Sequence, residues 1–233
     1  MKKGDLRKQE ILATAEALFC ARGYEKTSIQ DIIDRLKSSK GSFYHHFASK
    51  ESLLEGICIK RANEIYLEAS KSVFPDSPPV ESLNFLLSGM IPFHNEKLSF
   101  LLMLLPTFTL PEGKMVRITY CEALTKQFAE PVISCLIRGH ETGQLACTDP
   151  GHTSDLILTI VNRLWTSVSD IILCAEENDT EADISEILTL TECCRNSVER
   201  MLSLTYGSLV LLDIPSIQHT CRQIHNHWSQ LNH

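Results

Sequence analysis

TSIQDIIDRLKSSKGSFYHHFASKESLL, residues Thr27 to Leu54, fits two short helices, a tight turn and the opening of a third helix into one brief stretch. Thr27 or Ser28 can cap a helix start, and Gln30, three residues after Thr27, can complete a capping box. The spacing predicts a helix from Ile29 to about Leu36. Its apolar positions Ile29, Ile32, Ile33 and Leu36 share one face and leave Asp31, Asp34 and Arg35 to solvent. Ser38 and Ser39 offer fresh caps ahead of residues 40–47, a segment too short to hold as a helix in water without neighbours. Phe43 and Phe47, four apart, can anchor it. Ser39, Lys40, Ser42, Tyr44 and His45 then spread over the remaining surface with donors, acceptors, a cation and aromatic rings, which suit phosphates and base edges. Ser49 opens the next helix with Lys50 in its first turn, where the helix dipole disfavours a cation. A nearby phosphate would account for Lys50.

Upstream, Ile11, Leu12, Ala15, Leu18 and Phe19 form one helical stripe that Gly23 is placed to stop. Downstream, a long helix runs from about Lys50 through Leu53, Leu54, Ile57, Ile65 and Leu67 until the prolines after Phe74 break it. The 233 residues carry a net charge of -7, but unevenly. Residues 1–62 hold 12 Lys and Arg against 8 Asp and Glu, and the remainder holds 10 against 21. Only the first part is fit to approach phosphate. No run of eighteen apolar residues and no signal-like leader is seen, so the expected setting is the cytoplasm, with no membrane. The nine cysteines are odd in number and scattered, so reduced thiols are expected.

Together with Phe19-Cys20-Ala21-Arg22-Gly23-Tyr24, the stretch closely resembles the N-terminal domain of TetR-family transcriptional regulators. The run Ser39-Lys40-Gly41-Ser42-Phe43-Tyr44, then Phe47, Ser49, Lys50, Glu51 and Leu53, carries the likeness almost continuously. One departure falls in the turn, where many members have Gly followed by an apolar residue and this chain has Lys37 and Ser38; a left-handed Lys37 would cost about 1 kcal/mol, and a looser turn is expected. The resemblance implies an all-α fold: an N-terminal three-helix helix-turn-helix DNA-binding domain (1–50), a connecting helix (51–74) and a C-terminal helical ligand-binding and dimerisation domain (75–233). It further implies a homodimer on a pseudo-palindromic double-stranded DNA operator, released by a small-molecule effector of unknown identity. By the same likeness Ser39, Lys40, Ser42, Tyr44 and His45 face DNA, Gln30 reaches from the second helix, and Thr27, Ser28 and Lys50 hold phosphates.

Beyond the prolines the pattern is helical, with breaks at Pro92, Pro106, Pro111, Gly113, Gly143, Pro150-Gly151 and Pro215. Helices are expected over 119–145, 155–174 and 184 to about 212, with a last one over 217–233. Leu156, Ile160, Leu164 and Val168 against Leu188, Val198, Leu202 and Leu209 are candidates for a dimer seam or for the core of one chain. The apolar run 98–110 is the place to look for a ligand: Phe100, Met103, Leu104 and Phe108, with Phe128 and Trp165, are the candidate lining. Phe93 and Tyr120 could complete such a cavity, with Thr107, Asn162 or His94 as polar handles; a plain core helix is the competing reading. Cys193 and Cys194 diverge by about 100 degrees on a helix and form no chelating pair, so buried small residues are favoured over a metal or oxidant sensor. No metal or other cofactor is expected. No nucleophile motif, phosphate loop or zinc-protease motif occurs, which speaks against an enzyme. Two rivals stay open: a thiol-sensing regulator, and a sensor module that does not bind an operator.

Overall fold

The computed structural model describes residues 3–74, 76–93, 98–111, 113–174, 180–213, 215, 217–219 and 223. Among them every regular element is helical: α1 Lys3–Arg22, α2 Ile29–Arg35, α3 Lys40–Tyr44, α4 Lys50–Ser70, α5 Pro79–Met90, α6 Leu98–Leu104, a 3-10 turn Leu105–Thr109, α7 Gly113–Glu141, α8 Pro150–Cys174 and α9 Thr180–Met201. The all-α expectation holds. The chain divides into two compact units, one of residues 1–62 and 99–123, the other of residues 63–98 and 124–233.

In the first unit the α1 stripe is buried as its period requires except at Leu18, which is half-buried. Ile11, Leu12, Ala15 and Phe19 are closed off together with Ile32, Ile33, Phe43, Phe47, Leu53, Leu54 and Ile57. Gly23, at φ +85, turns the chain out of α1 and donates its N–H to Phe19 O at 2.9 Å. Tyr24 then folds back, edge-on to Phe19 at 5.1 Å between ring centres. A buried carboxylate fastens α4 to α1, because Glu16 takes Lys60 Nζ at 3.0 Å and Arg61 Nε as well. The Arg61 guanidinium also lies 5.5 Å over the Phe100 ring, Phe100 meets Tyr120 edge-on at 5.7 Å, and Cys20 Sγ faces Ser99 O at 3.7 Å. The apolar run that follows Leu98 therefore packs beside α1 and α4.

In the second unit α5 buries Leu83, Leu86, Leu87 and Met90. At Gly89 it lies close against α4, since a Cβ there would stand 2.5 Å from Ala69 Cβ. Pro150-Gly151 opens α8 and does not break a helix, because the Asp149 carboxylate accepts the His152 N–H at 2.9 Å and Pro150 sits where no backbone N–H is needed. By length and apolar composition α8 could cross a membrane, but half of that window is buried within the chain. It packs on α9.

Several boundaries differ from the sequence expectation. α7 starts at Gly113, six residues early, and carries Pro131 inside it. α9 stops at Met201 and does not run on to about Leu212. The reason is long-range: Glu199, 2% exposed, accepts the N–H groups of Gly207 and Leu209 at 3.2 and 2.9 Å, and Asn84 clasps Ser208 O and the Val210 N–H at 2.7 Å each. These bonds satisfy residues 207–210 in a form no helix offers. Of the seam candidates, Leu164, Val168, Val198, Leu202 and Leu209 fill the core of a single chain, while Leu156 is exposed and Ile160 and Leu188 are half-buried. Most of the helix expected over 217–233 lies outside the described residues.

Candidate nucleic-acid interface

The helix-turn-helix assembles from local bonds. Ser28, not Thr27, is the cap of α2: its Oγ accepts the Asp31 N–H at 3.1 Å, while the Asp31 carboxylate accepts the Ser28 N–H at 2.8 Å and its hydroxyl at 2.5 Å. This corrects the expected Thr27–Gln30 box. Thr27 is fully buried and its hydroxyl donates to Gly23 O at 2.9 Å, so its side chain is a packing group without access to a phosphate. Gln30 instead donates to the Asp34 carboxylate at 2.7 Å on the exposed face of α2. The Ser28 bonds hold the Asp31 carboxyl below the usual carboxylate range.

The turn is tied at both ends. Leu36 caps α2, Lys37 takes φ +48, the Lys37 N–H reaches Asp34 O at 3.1 Å and the Ser38 N–H reaches Ile33 O at 3.1 Å. That pair of bonds is a complete Schellman motif around a left-handed residue. The looser turn expected from losing the family's glycine is not found. Ser39 then caps α3 by accepting the Ser42 N–H at 3.2 Å.

Phe43 and Phe47 are buried with ring centres 6.2 Å apart, which fixes the short α3 on the core. That anchoring leaves Ser39, Lys40, Tyr44 and His45 exposed, Tyr44 at 52%, with Ser42 half-buried. Lys50 has partners the sequence did not reveal: its Nζ lies 4.0 Å over the Tyr24 ring and donates to Glu25 O at 3.5 Å. A cation at this helix start is thus accommodated by an aromatic face as well as by any phosphate. Ser49 and Ser52 cap the same helix reciprocally, at 3.0 and 3.1 Å. The sequence signals for the missed residues were present, since Ser28 and Asp31 have capping-box spacing. Nothing local identified Tyr24 as the partner of Lys50.

The candidate ligand residues do not form one group. Phe100, Met103 and Leu104 are buried in the first unit, where Phe108 lies under the Arg117 guanidinium at 4.6 Å. Phe128 and Trp165 belong to the second unit; Phe128 meets Tyr66 edge-on at 5.5 Å and Trp165 Nε1 donates to Asn162 Oδ1 at 2.9 Å. The suggested polar handles are engaged as well: Thr107 donates to Leu104 O at 2.6 Å, and Asn162 Nδ2 to Thr125 Oγ1 at 2.9 Å. His94 lies outside the described residues. Burial raises the Cys58 and Cys194 thiols, and pushes Cys121 up to about 12. Cys193, expected to be buried, is exposed.

A capped short helix, a tied turn and an aromatic-anchored second helix with a polar outer face define a helix-turn-helix. Residues 11–57 match the pattern of "Bacterial regulatory proteins, tetR family". Those residues thus carry a helix-turn-helix of the type found in that family. It is similar to the HTH-type transcriptional repressor DhaR of Mycobacterium sp. (strain GP1), 28% identical over 141 residues, covering 59% of this chain and 69% of that one. It is also similar to the uncharacterized HTH-type transcriptional regulator YerO of Bacillus subtilis (strain 168), 31% identical over 118 residues; that match covers 48% of this chain and spans only 39% of YerO. Among solved structures, RolR in complex with resorcinol shares the fold at a TM-score of 0.54 and 13% identity, over 94% of each chain.

Proposed function

We propose that the chain acts as a homodimer that lays two copies of α3 into successive major-groove faces of a pseudo-palindromic operator, and that a small-molecule effector releases it. The observation that carries this is the outer face of α3: Lys40, Tyr44 and His45 stand exposed on a helix whose inner face is locked by Phe43 and Phe47. Ser39 and Ser42 contribute hydroxyls to that face, Gln30 reaches from α2, and Lys50 grips a flanking phosphate, whereas Ser28 spends its N–H and its hydroxyl on the Asp31 carboxylate. Residues 1–50 serve as the DNA-binding domain, 51–74 as the connecting helix, and 75–233 as the effector-binding and dimerisation domain.

An effector can shift such a protein only through a difference in affinity between its DNA-competent and DNA-incompetent states. A small apolar organic molecule is the chemical class we favour, supported by the apolar residues Phe100, Met103 and Leu104 of the first unit and by the resorcinol bound in RolR. Of the seam candidates, Leu156, Ile160 and Leu188 on α8 and α9 are those left at least partly open for a second copy. The reading places the protein in the cytoplasm and assigns it no catalytic step, cofactor or membrane partner.

The test is to select duplexes from a random-sequence library with the full chain, then measure binding of Lys40→Ala and Tyr44→Ala to the enriched site. Both variants are expected to lose at least tenfold in affinity while keeping wild-type circular dichroism. Unchanged binding by both would move the DNA surface away from α3.

A further inference from the structure

We infer that Lys37 is an additional phosphate-gripping residue of the DNA interface, in the turn ahead of α3. The inference rests on the DNA-binding reading and adds to it a residue at which this chain departs from the family habit.

Lys37 holds a backbone conformation, φ +48, that a residue with a Cβ adopts only against steric resistance. The conformation itself is dictated by the paired bonds from Lys37 N–H to Asp34 O and from Ser38 N–H to Ile33 O. Any residue here must be left-handed, and glycine would be left-handed without strain. The fold gains nothing from the lysine side chain in exchange. It is exposed, and among the described residues its ammonium has no hydrogen bond and no ion pair. Ser203 closes α9 through the same pair of bonds at φ +54, but its side chain is short and neutral. At Lys37 the strain is joined to a long, unpartnered cation.

The location gives that cation a use. Lys37 stands two residues before Ser39, the cap of α3, and three before the exposed Lys40. The leading residues of a recognition helix enter the groove, so the turn just ahead of them borders the phosphates along its edge. The surrounding residues 1–62 carry the chain's excess of positive charge. Strained backbone is retained where a function offsets it. Here that function is one more charge-neutralising contact, indifferent to base sequence.

The experiment uses the full chain and one fixed mixed-sequence duplex of about thirty base pairs, followed by fluorescence anisotropy over a series of KCl concentrations. Lys37→Gly and Lys37→Asn keep the left-handed turn and remove the charge; Lys37→Arg keeps the charge. Gly and Asn are each expected to weaken binding about threefold to tenfold near 0.1 M salt. They should also flatten the log–log salt dependence by about 0.9 per bound chain, with Arg close to wild type. The thermal midpoint of Lys37→Gly should hold or rise by about 2 °C, so that affinity and stability move in opposite directions. Wild-type affinity and slope in both Lys37→Gly and Lys37→Asn would overturn the inference, leaving Lys37 a solvated cation. If Lys40→Ala loses affinity in the same assay, only the Lys37 assignment falls. If wild type and Lys40→Ala bind alike, the reading of α3 falls with it.

Discussion

Removing both cations from Glu16 tests how α1 and α4 are held together. Glu16 keeps 7% of its side-chain surface, whereas Lys60 and Arg61 keep 23% and 35%. The carboxylate thus bears the desolvation, and the two cations share the work of offsetting it. Stranding a buried charge costs about 3–5 kcal/mol when its partner is removed. With two partly wet partners, one can cover for the other, so Lys60→Met or Arg61→Met alone should cost about 1 kcal/mol. The double variant should cost about 3 kcal/mol, leaving a coupling of about 1 kcal/mol between the sites. Hydrogen exchange of the α1 and α4 amides reads this directly as a lower local opening free energy. Adding Glu16→Leu to the double variant removes the stranded charge and should restore most of the protection, because buried ion pairs are often replaceable by apolar side chains. A double variant whose α1 and α4 amides exchange within about 0.5 kcal/mol of wild type would refute the argument.

Two further outcomes follow from local geometry. The Asp31 carboxyl is held below its ordinary value of 3.8, so its contribution to the α2 cap is present above that value and is lost as pH falls through the lower folded one; an NMR titration of Asp31 in the folded chain should show the depressed midpoint, and Ser28→Ala should bring it part of the way back, the residue 28 N–H still donating to the carboxylate. Gly89→Val should cost about 1–3 kcal/mol in urea unfolding, because a Cβ at residue 89 would stand 2.5 Å from Ala69 Cβ and must push it aside, whereas the same change at the exposed Gly4 should be far milder.

What the sequence revealed was whatever local spacing decides. The stripe Ile11, Leu12, Ala15, Phe19 and the pair Phe43 and Phe47 are buried because their period leaves no other face to bury. The left-handed Lys37 was open to expectation only through the family resemblance, as the residue standing where a glycine is customary. The failures occur where distant groups compete for a residue. Thr27 and Ser28 are equally good caps on paper, and the choice falls to Ser28 because the Thr27 hydroxyl is drawn into the core by Gly23 O. α9 ends early because Glu199 and Asn84 claim the backbone of residues 207–210, and Asn84 is far away in sequence. Phe100 and Trp165 looked like walls of one cavity because both are large and apolar, but composition carries no information about which unit each joins.

The first unit is not a continuous piece of chain: residues 99–123 complete what residues 1–62 begin. Arg61 lies against Phe100, and Cys20 faces Ser99. A head excised after α4 would carry raw apolar surface where Phe100 and Tyr120 had been, and would be expected to self-associate. Recombination that trades heads between such regulators faces the same constraint, and a graft ending near residue 62 should fail unless it brings a matching α6. The compatible unit of exchange is two segments, inherited together.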